Sequence, residues 1–239
     1  MKITSATWEF RNLGLDVQEI DLNHGDCEKL KEQFDLLNAP YQVAKVEAGD
    51  NDILGFLQDN EFRFIEDQIK MCHLLNDVQR SRTHQRMHDA VGYRIMDEAD
   101  FNELLREVDD GMFDTDRFAI DDRFGKKISS KRYHNWICDM KEQGIVPYAF
   151  TYKDKACAFV VLKPEKHGIY HSVIGGYYRS FRESGMGIVQ KEIDIVKELG
   201  GRRIISAVSS NNIFQIRAMC INGYVPFGVE HVLVKYVCG

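Results

Sequence analysis

Apolar residues recur three and four apart near the C-terminal end of the chain, at Met186, Val189, Ile193 and Val196, with Ile188, Ile195 and Leu199 widening the face. Lys191, Glu192, Asp194, Lys197 and Glu198 fall on the other side of this pattern, which predicts an amphipathic helix. Gly200-Gly201 supplies a left-handed cap to close it. Arg203 to Ser209 is rich in Ile and Val with little alternation, as expected of a strand buried on both faces. Asn212 begins a second helical run that ends at Gly223-Tyr224. Ahead of these, Val146–Tyr152 and Ala156–Leu162 predict a hairpin around Lys153-Asp154-Lys155, and Ile169–Tyr178 a third strand.

The first part of the chain carries similar signals. Trp8 and Phe10 lie in an expected extended segment, and Val17–Leu22 in another. Asp26 is placed to cap a helix through about Leu37, with Leu30, Phe34 and Leu37 on one face. Tyr41–Ala48 and Glu61–Leu74 read as strands around a short helix, Asp50–Gln58. An internal echo links the two parts. Val46, Leu54, Leu57, Asn60, Phe62 and Ile65 correspond to Val208, Ile216, Met219, Asn222, Tyr224 and Phe227, an offset of 208 − 46 = 162. A partial internal copy gives this echo, and two ordinary β-α-β units give the same order. Asn76–Ala90 is polar and lacks an apolar period, as a linker does. Beyond it, Val91–Met96 predicts a strand, and Asp97 or Asp100 caps a helix through about Val108. Gly111–Ile128 reads as irregular, and Ser129 caps a helix through Gln143. The resulting division is 1–75, a smaller unit; 76–90, a linker; and 91–239, the main domain. The segment Val225–Val237 is expected to form a strand pair that joins subunits in a homodimer.

Length and composition narrow the function. The 239 residues are enough for a large core, and the net charge of −6 argues against a general nucleic-acid binder. No apolar run reaches membrane-spanning length, and Met1-Lys-Ile-Thr-Ser lacks a secretory apolar core. The six cysteines form no Cys-x-x-Cys pair, which points to free thiols in a reducing, cytoplasmic setting. His84 and His88 share a helical face, but no third ligand is evident, so no metal is expected.

The chemistry centres on Arg182-Glu-Ser-Gly185-Met-Gly187, a glycine-containing loop between a strand and a helix. A helix start offers unpaired N–H groups and partial positive charge, and glycine lets the backbone approach a ligand closely, so the loop suits a phosphate. A Rossmann site needs a third glycine and an acidic residue at the end of the next strand, which here ends in Ser209-Ser210. A P-loop needs Gly-Lys-Ser/Thr. Neither pattern is present. Arg182-x-x-Gly185-x-Gly187, with Asn212 and the helix ending Gly223-Tyr224, resembles the pyrophosphate motif and following segment of the GCN5-related N-acetyltransferase (GNAT) superfamily. The resemblance implies an α/β (α+β) fold: a GNAT-like mixed, mostly antiparallel central sheet with flanking helices, preceded by a smaller partial GNAT-like domain. It also implies acetyl-CoA as co-substrate. Arg182, Glu183, Ser184, Gly185, Met186, Gly187 and Ile188 would cradle the pyrophosphate, while Tyr177 and Asn212 hold the pantetheine arm. A backbone N–H near Gly176 would stabilise the oxyanion, and Gly175-Gly176 reads as a strand-splaying bulge. No cofactor is expected in the N-terminal copy.

Met219 stands where the superfamily often has a tyrosine that protonates the departing thiolate. A positioned acid is worth about 10²–10⁴ in rate. Tyr177, Tyr178 and Tyr224 are candidate substitutes, and His171 is a candidate base with an ordinary pKa near ~6.5. In the acidic 109–124 segment, Asp121 would attract an amine while Arg117 and Arg123 would bind a diphosphate. Similarities at Thr7-Trp8-Glu9, Arg117-Phe118 with Asp121, and Tyr133-x-x-Trp136-Ile137 point within the superfamily to sugar-nucleotide acetyltransferases. The expected activity is direct acetyl transfer to a small primary amine, with a nucleotide-linked amino sugar leading. The competing expectation is a catalytically degenerate acyl-CoA sensor.

Overall fold

The computed structural model describes residues 1–77, 81–182, 184 and 187–237. The chain opens with β1 (Lys2–Ser5), a 3₁₀ turn at Thr7–Glu9, α1 (Phe10–Leu13) and β2 (Val17–Leu22), followed by α2 (Cys27–Glu32). Next come β3 (Tyr41–Glu47), α3 (Asn51–Asp59), β4 (Arg63–His73), α4 (Arg82–Ala90) and β5 (Val91–Ile95). The helices α5 (Glu98–Asp109), α6 (Arg117–Ile120) and α7 (Gly125–Glu142) precede β6 (Tyr148–Tyr152), β7 (Lys155–Pro164) and β8 (Ile169–Tyr177). The chain closes with α8 (Ile188–Glu198), β9 (Arg203–Ser209), α9 (Ile213–Ile221) and β10 (Val225–Tyr236).

All these strands join one mixed, mostly antiparallel sheet, in the order β1-β2-β3-β10-β4-β9-β8-β7-β6-β5. The segments 1–75 and 91–239 therefore share a sheet, since β10 lies between β3 and β4. Both edges of β10 are hydrogen-bonded within the chain. The C-terminal segment is thus one long internal strand rather than the intersubunit pair expected from sequence.

The 162-residue echo describes the geometry residue by residue. Val225 pairs with Cys72, and its image, Val234 with Arg63, is also a pair. The pairing skips Ile65 on one strand and Phe227 on the other, and 227 − 65 = 162. Helix α3 maps onto α9 end to end. Their caps correspond too: the Asp50 side chain accepts from Ile53 N at 3.1 Å, and Asn212 from Gln215 N at 3.1 Å. At the other ends, Asn60 and Asn222 each donate from Nδ2 to the carbonyl four residues back, at 2.8 and 2.7 Å.

Several local expectations are corrected. Trp8 and Phe10 are helical, because Glu9 turns inward to accept from Asn12 Nδ2 at 3.0 Å and Arg132 Nε at 2.6 Å. Gly14 then ends that turn with a φ of 73°. Asp26 does not cap α2: its carboxylate takes the Met1 ammonium and the Asn23 N–H, and the helix stops at Glu32, short of Leu37. The 76–90 linker contains α4, capped by Ser81, whose hydroxyl accepts from His84 N at 3.2 Å. Its His88 is buried and meets Asp194 Oδ2 at 2.5 Å, and no metal-binding cluster occurs among the described residues. Helix α7 starts at Gly125, so Ser129 lies inside it, buried, donating to Asp116 Oδ1 at 3.0 Å. Asp116 also caps α6, within a stretch expected to be irregular. Strand β9 is not buried on both faces, because Arg203 and Ala207 are exposed.

Candidate active site

Strands β8 and β9 run parallel but pair only from Ile169↔Arg203 to His171↔Ile205 among the described residues. Beyond His171 they part. A register shift on the β7 side, between Val161↔Ile174 and Leu162↔Ser172, leaves Val173 bulged. The bulge thus sits at Val173 and not at Gly175-Gly176. Those glycines allow close packing instead: a Cβ on Gly175 would meet the Phe159 carbonyl at 3.0 Å, and one on Gly176 the Met112 sulfur at 3.0 Å.

The ladder decides which backbone groups face the opening. Tyr178 N donates to Cys157 O at 3.0 Å, so the alternation of a strand turns Gly176 toward β7 as well. The N–H groups aimed at the gap are those of Gly175 and Tyr177. Both residues adjoin Gly176, the position named from the sequence.

The parted strands open into a cavity of about 700 Å³ that reaches both faces of the sheet. His171, Ser172, Gly175, Ile188 and Asn212 line it, and so do Asp116 and Arg117 at the start of α6 and Glu66 and Gln68 from β4 of the N-terminal half. Asn212 caps α9 with its oxygen, which leaves its amide N–H groups for a ligand. The first N–H of α8, that of Ile188, meets the Tyr177 hydroxyl, and burial pushes the Tyr177 pKa up to about 12. Arg182 donates to the carbonyls of Gly111 and Met112 at 3.0 and 2.7 Å, which ties the loop before α8 to the end of α5. Ser184 turns back to Phe181 O at 2.6 Å. Gly187 is the N-cap residue of α8. Glu183, Gly185 and Met186 lie outside the described residues.

The catalytic candidates separate. His171 lines the cavity half-exposed, and burial lowers its pKa despite nearby Glu165. Tyr178 is 1% exposed, packed in the α5 and α7 core, and does not line the cavity. Tyr224 is 2% exposed and donates to Glu192 Oε1 at 3.1 Å, so its hydroxyl is committed inside the core. Met219 is buried in the same core. On the acceptor side, Arg117 reaches the cavity and donates to Glu19 Oε1 at 2.8 Å. Asp121 and Arg123 do not line it: Asp121 accepts the Arg123 N–H at 3.0 Å, and the Arg123 guanidinium covers the Tyr236 ring at 3.8 Å.

Sequence reasoning missed much of the cavity's charge. Glu19, held by Arg117 and Lys45, overcomes its burial and falls to a pKa of about 2. Glu9 pairs with Arg132, and Asp139 with Arg11. Three lining carboxyl groups, Glu66, Asp116 and Glu192, have no ion pair among the described residues. Glu192, expected on the solvent face, is 7% exposed, and burial pushes its pKa to about 7 against hydrogen bonds from the Ser172 and Tyr224 hydroxyls.

No protein-family model matches the chain, and no curated protein matches it in sequence. Solved structures do resemble it. A GCN5-related N-acetyltransferase from Sphaerobacter thermophilus superposes with a TM-score of 0.58 at 14% identity, over 87% of this chain and 64% of that one. The chain thus spans just under two thirds of that protein's length. A conserved protein of unknown function from Staphylococcus epidermidis gives 0.59 at 12%, over 93% and 84%. A tandem GNAT protein from the clavulanic acid biosynthesis pathway gives 0.53 at 11%, over 88% and 68%. The likeness is one of fold: the chain has the fold of the GCN5-related N-acetyltransferases. No helix among the described residues is long and apolar enough to cross a membrane.

Proposed function

We propose that the protein is an acetyl-CoA-dependent N-acetyltransferase that transfers the acetyl group directly to a small primary amine. The observation that carries this reading is the parting of β8 from β9, which leaves an unpaired strand edge running from the start of α8 to a cavity lined by carboxyl groups. The pyrophosphate binds where α8 begins, beside Gly187 and Arg182. The pantetheine arm pairs with the Tyr177 edge and the Asn212 amide, and the Gly175 N–H points at the developing oxyanion. The amine arrives from the cavity. A site rich in carboxylates attracts an ammonium and, after the loss of one proton, presents a nucleophilic nitrogen.

The acceptor we favour is a nucleotide-linked amino sugar. Thr7-Trp8-Glu9, Arg117-Phe118 with Asp121, and Tyr133-x-x-Trp136-Ile137 resemble dTDP-fucosamine acetyltransferase, and of these residues Trp8, Glu9, Arg117, Phe118, Tyr133 and Trp136 line the cavity. Free thiols at Cys27, Cys72, Cys138, Cys157 and Cys220 suit a reducing compartment such as the cytoplasm. The burial of Met219, which leaves no hydroxyl there, favours a second reading: an acyl-CoA sensor without turnover.

A thermal-shift titration with acetyl-CoA, CoA and NAD tests the first step, with Gly187→Trp as control. At ~100 times its dissociation constant, acetyl-CoA stabilises the protein by ~2.7 kcal/mol, and the variant loses that shift. Absence of a shift with both CoA species overturns the reading. Acetyl-CoA binding without thiol release across a panel of amines selects the sensor.

A further inference from the structure

We infer that Glu66 receives the ammonium group of the acceptor and takes its proton, a role that rests on the acetyltransfer reading above. Glu66 comes from β4, a strand of the N-terminal half inserted beside β9. It is 2% exposed, lines the cavity and forms no ion pair among the described residues. Its Oε2 has no hydrogen-bond partner there either, its Oε1 meets Gln68 Nε2 only at 3.5 Å, and the nearby Ser209 hydroxyl donates to Thr115 O at 3.0 Å. A buried carboxylate in that state is costly, and burial raises its pKa against the Ser209 hydroxyl and the Arg117 charge.

The other two carboxyl groups without ion pairs each hold structure together, Asp116 through Oδ1 alone. Asp116 accepts from Ala119 N at 2.8 Å and from the Ser129 hydroxyl at 3.0 Å, which fixes α6 on α7. Glu192 is held by the Tyr224 and Ser172 hydroxyls on the α8 side of the sheet. Asp116 Oδ2, like Glu66 Oε2, has no hydrogen-bond partner among the described residues, but Glu66 is the one of the three whose carboxyl group caps no helix and ties no helix to another.

The internal symmetry sharpens the point. The residue 162 positions on from Glu66 is Gly228, at the mirrored place in the same pair of strands. The fold accepts a glycine at that position, so the backbone does not require a carboxylate. The charge is present in the copy whose strand pairs with β9, one of the two strands that part.

The chemistry balances. The acceptor enters as R–NH₃⁺ and gives one proton to the Glu66 carboxylate. The freed lone pair adds to the thioester carbon, forming the C–N bond, and the C–S bond breaks with its electron pair on sulfur. A second nitrogen proton passes to the thiolate, and Glu66 returns the first to water.

Glu66→Gln tests this, with glucosamine, ethanolamine, tyramine and putrescine as probes and N-acetylglucosamine as the neutral control. Thermal shifts in the presence of acetyl-CoA read binding. The expected result is that at least one amine, and not the control, stabilises the wild type, and that the variant binds it about 100-fold more weakly, as loss of a buried charge partner implies. The variant keeps the acetyl-CoA shift and melts no lower than wild type, since it loses an uncompensated charge. Where a probe turns over, the acidic limb of its rate profile disappears in the variant. Equal amine binding by Glu66→Gln, or binding by none of the amines, overturns the proposal. Loss of the acetyl-CoA shift in the wild type instead overturns the acetyltransfer reading itself.

Discussion

The two halves of the molecule repeat one strand-helix-strand unit and differ in one respect that matters. In the first half, β2 and β3 stay paired for six residues, Val17↔Tyr41 to Leu22↔Val46. In the second, β8 and β9 pair for three residues among those described and then part. The same helix follows in each, with the same cap and the same terminal asparagine bond. A ligand-sized opening thus arises by interrupting one strand pairing, while the surrounding unit keeps its register. Among the many residues that differ between the copies, Asn212 (against Asp50) and Glu66 (against Gly228) line that opening.

The largest test of this contrast concerns α8. Helix α2 buries an aliphatic residue, Leu30, whereas α8 buries Glu192. Its folded pKa of about 7 lies above the ordinary 4.5. The native state therefore holds the proton more tightly than the unfolded chain. The stability this contributes is fully present below about pH 4.5 and is lost as pH rises to about 7, an effect on the order of 3 kcal/mol. Glu192→Gln should flatten that part of a urea-denaturation pH series; an unchanged slope would show that Glu192 is not the group titrating.

A smaller effect compares the caps. Asp50→Ala and Asn212→Ala should each cost about 1 kcal/mol in thermal or urea unfolding. Only Asn212→Ala should also weaken acetyl-CoA binding, since its amide faces the parted edge. Equal loss of acetyl-CoA affinity in both variants would erase the distinction between the halves. The smallest effect is at Gly228. A Cβ there meets Lys70 Cδ at 3.4 Å, at the end of a flexible side chain. Gly228→Ala should shift unfolding by no more than about 0.5 kcal/mol, whereas a large loss would mean the mirrored position is sterically constrained.

Much of this was legible in the sequence because its signals are local. Helical periodicity gave α8, the Asp97 cap gave α5, and the 162-residue echo follows the same offset that the strand register shows. Glu192 was readable too. On a wheel of about 100° per residue it falls ~60° from Val189, toward the side that Ile188 and Ile195 occupy. Its charge suggested solvent, but its angle places it inside the apolar arc. Glu66 gave no such signal. The skipped Ile65 reverses the alternation of β4, and only pairing with β10 from the far end of the chain reveals which way each side chain then points. Trp8 and Phe10 misled for a related reason: Arg132, 123 residues away from Glu9, draws that segment into a turn.

The position of β10 has a consequence for how the chain reaches this state. Tyr236 pairs with Tyr41 across 236 − 41 = 195 residues, and until that strand arrives β3 and β4 have no common neighbour. Loop closure of that length comes before any reward from the contacts it makes, which slows folding. The N-terminal half should therefore wait, with two unfilled strand edges, for the last strand of its partner. Pulse-labelling hydrogen exchange should show β3, β4 and β10 gaining protection together and late.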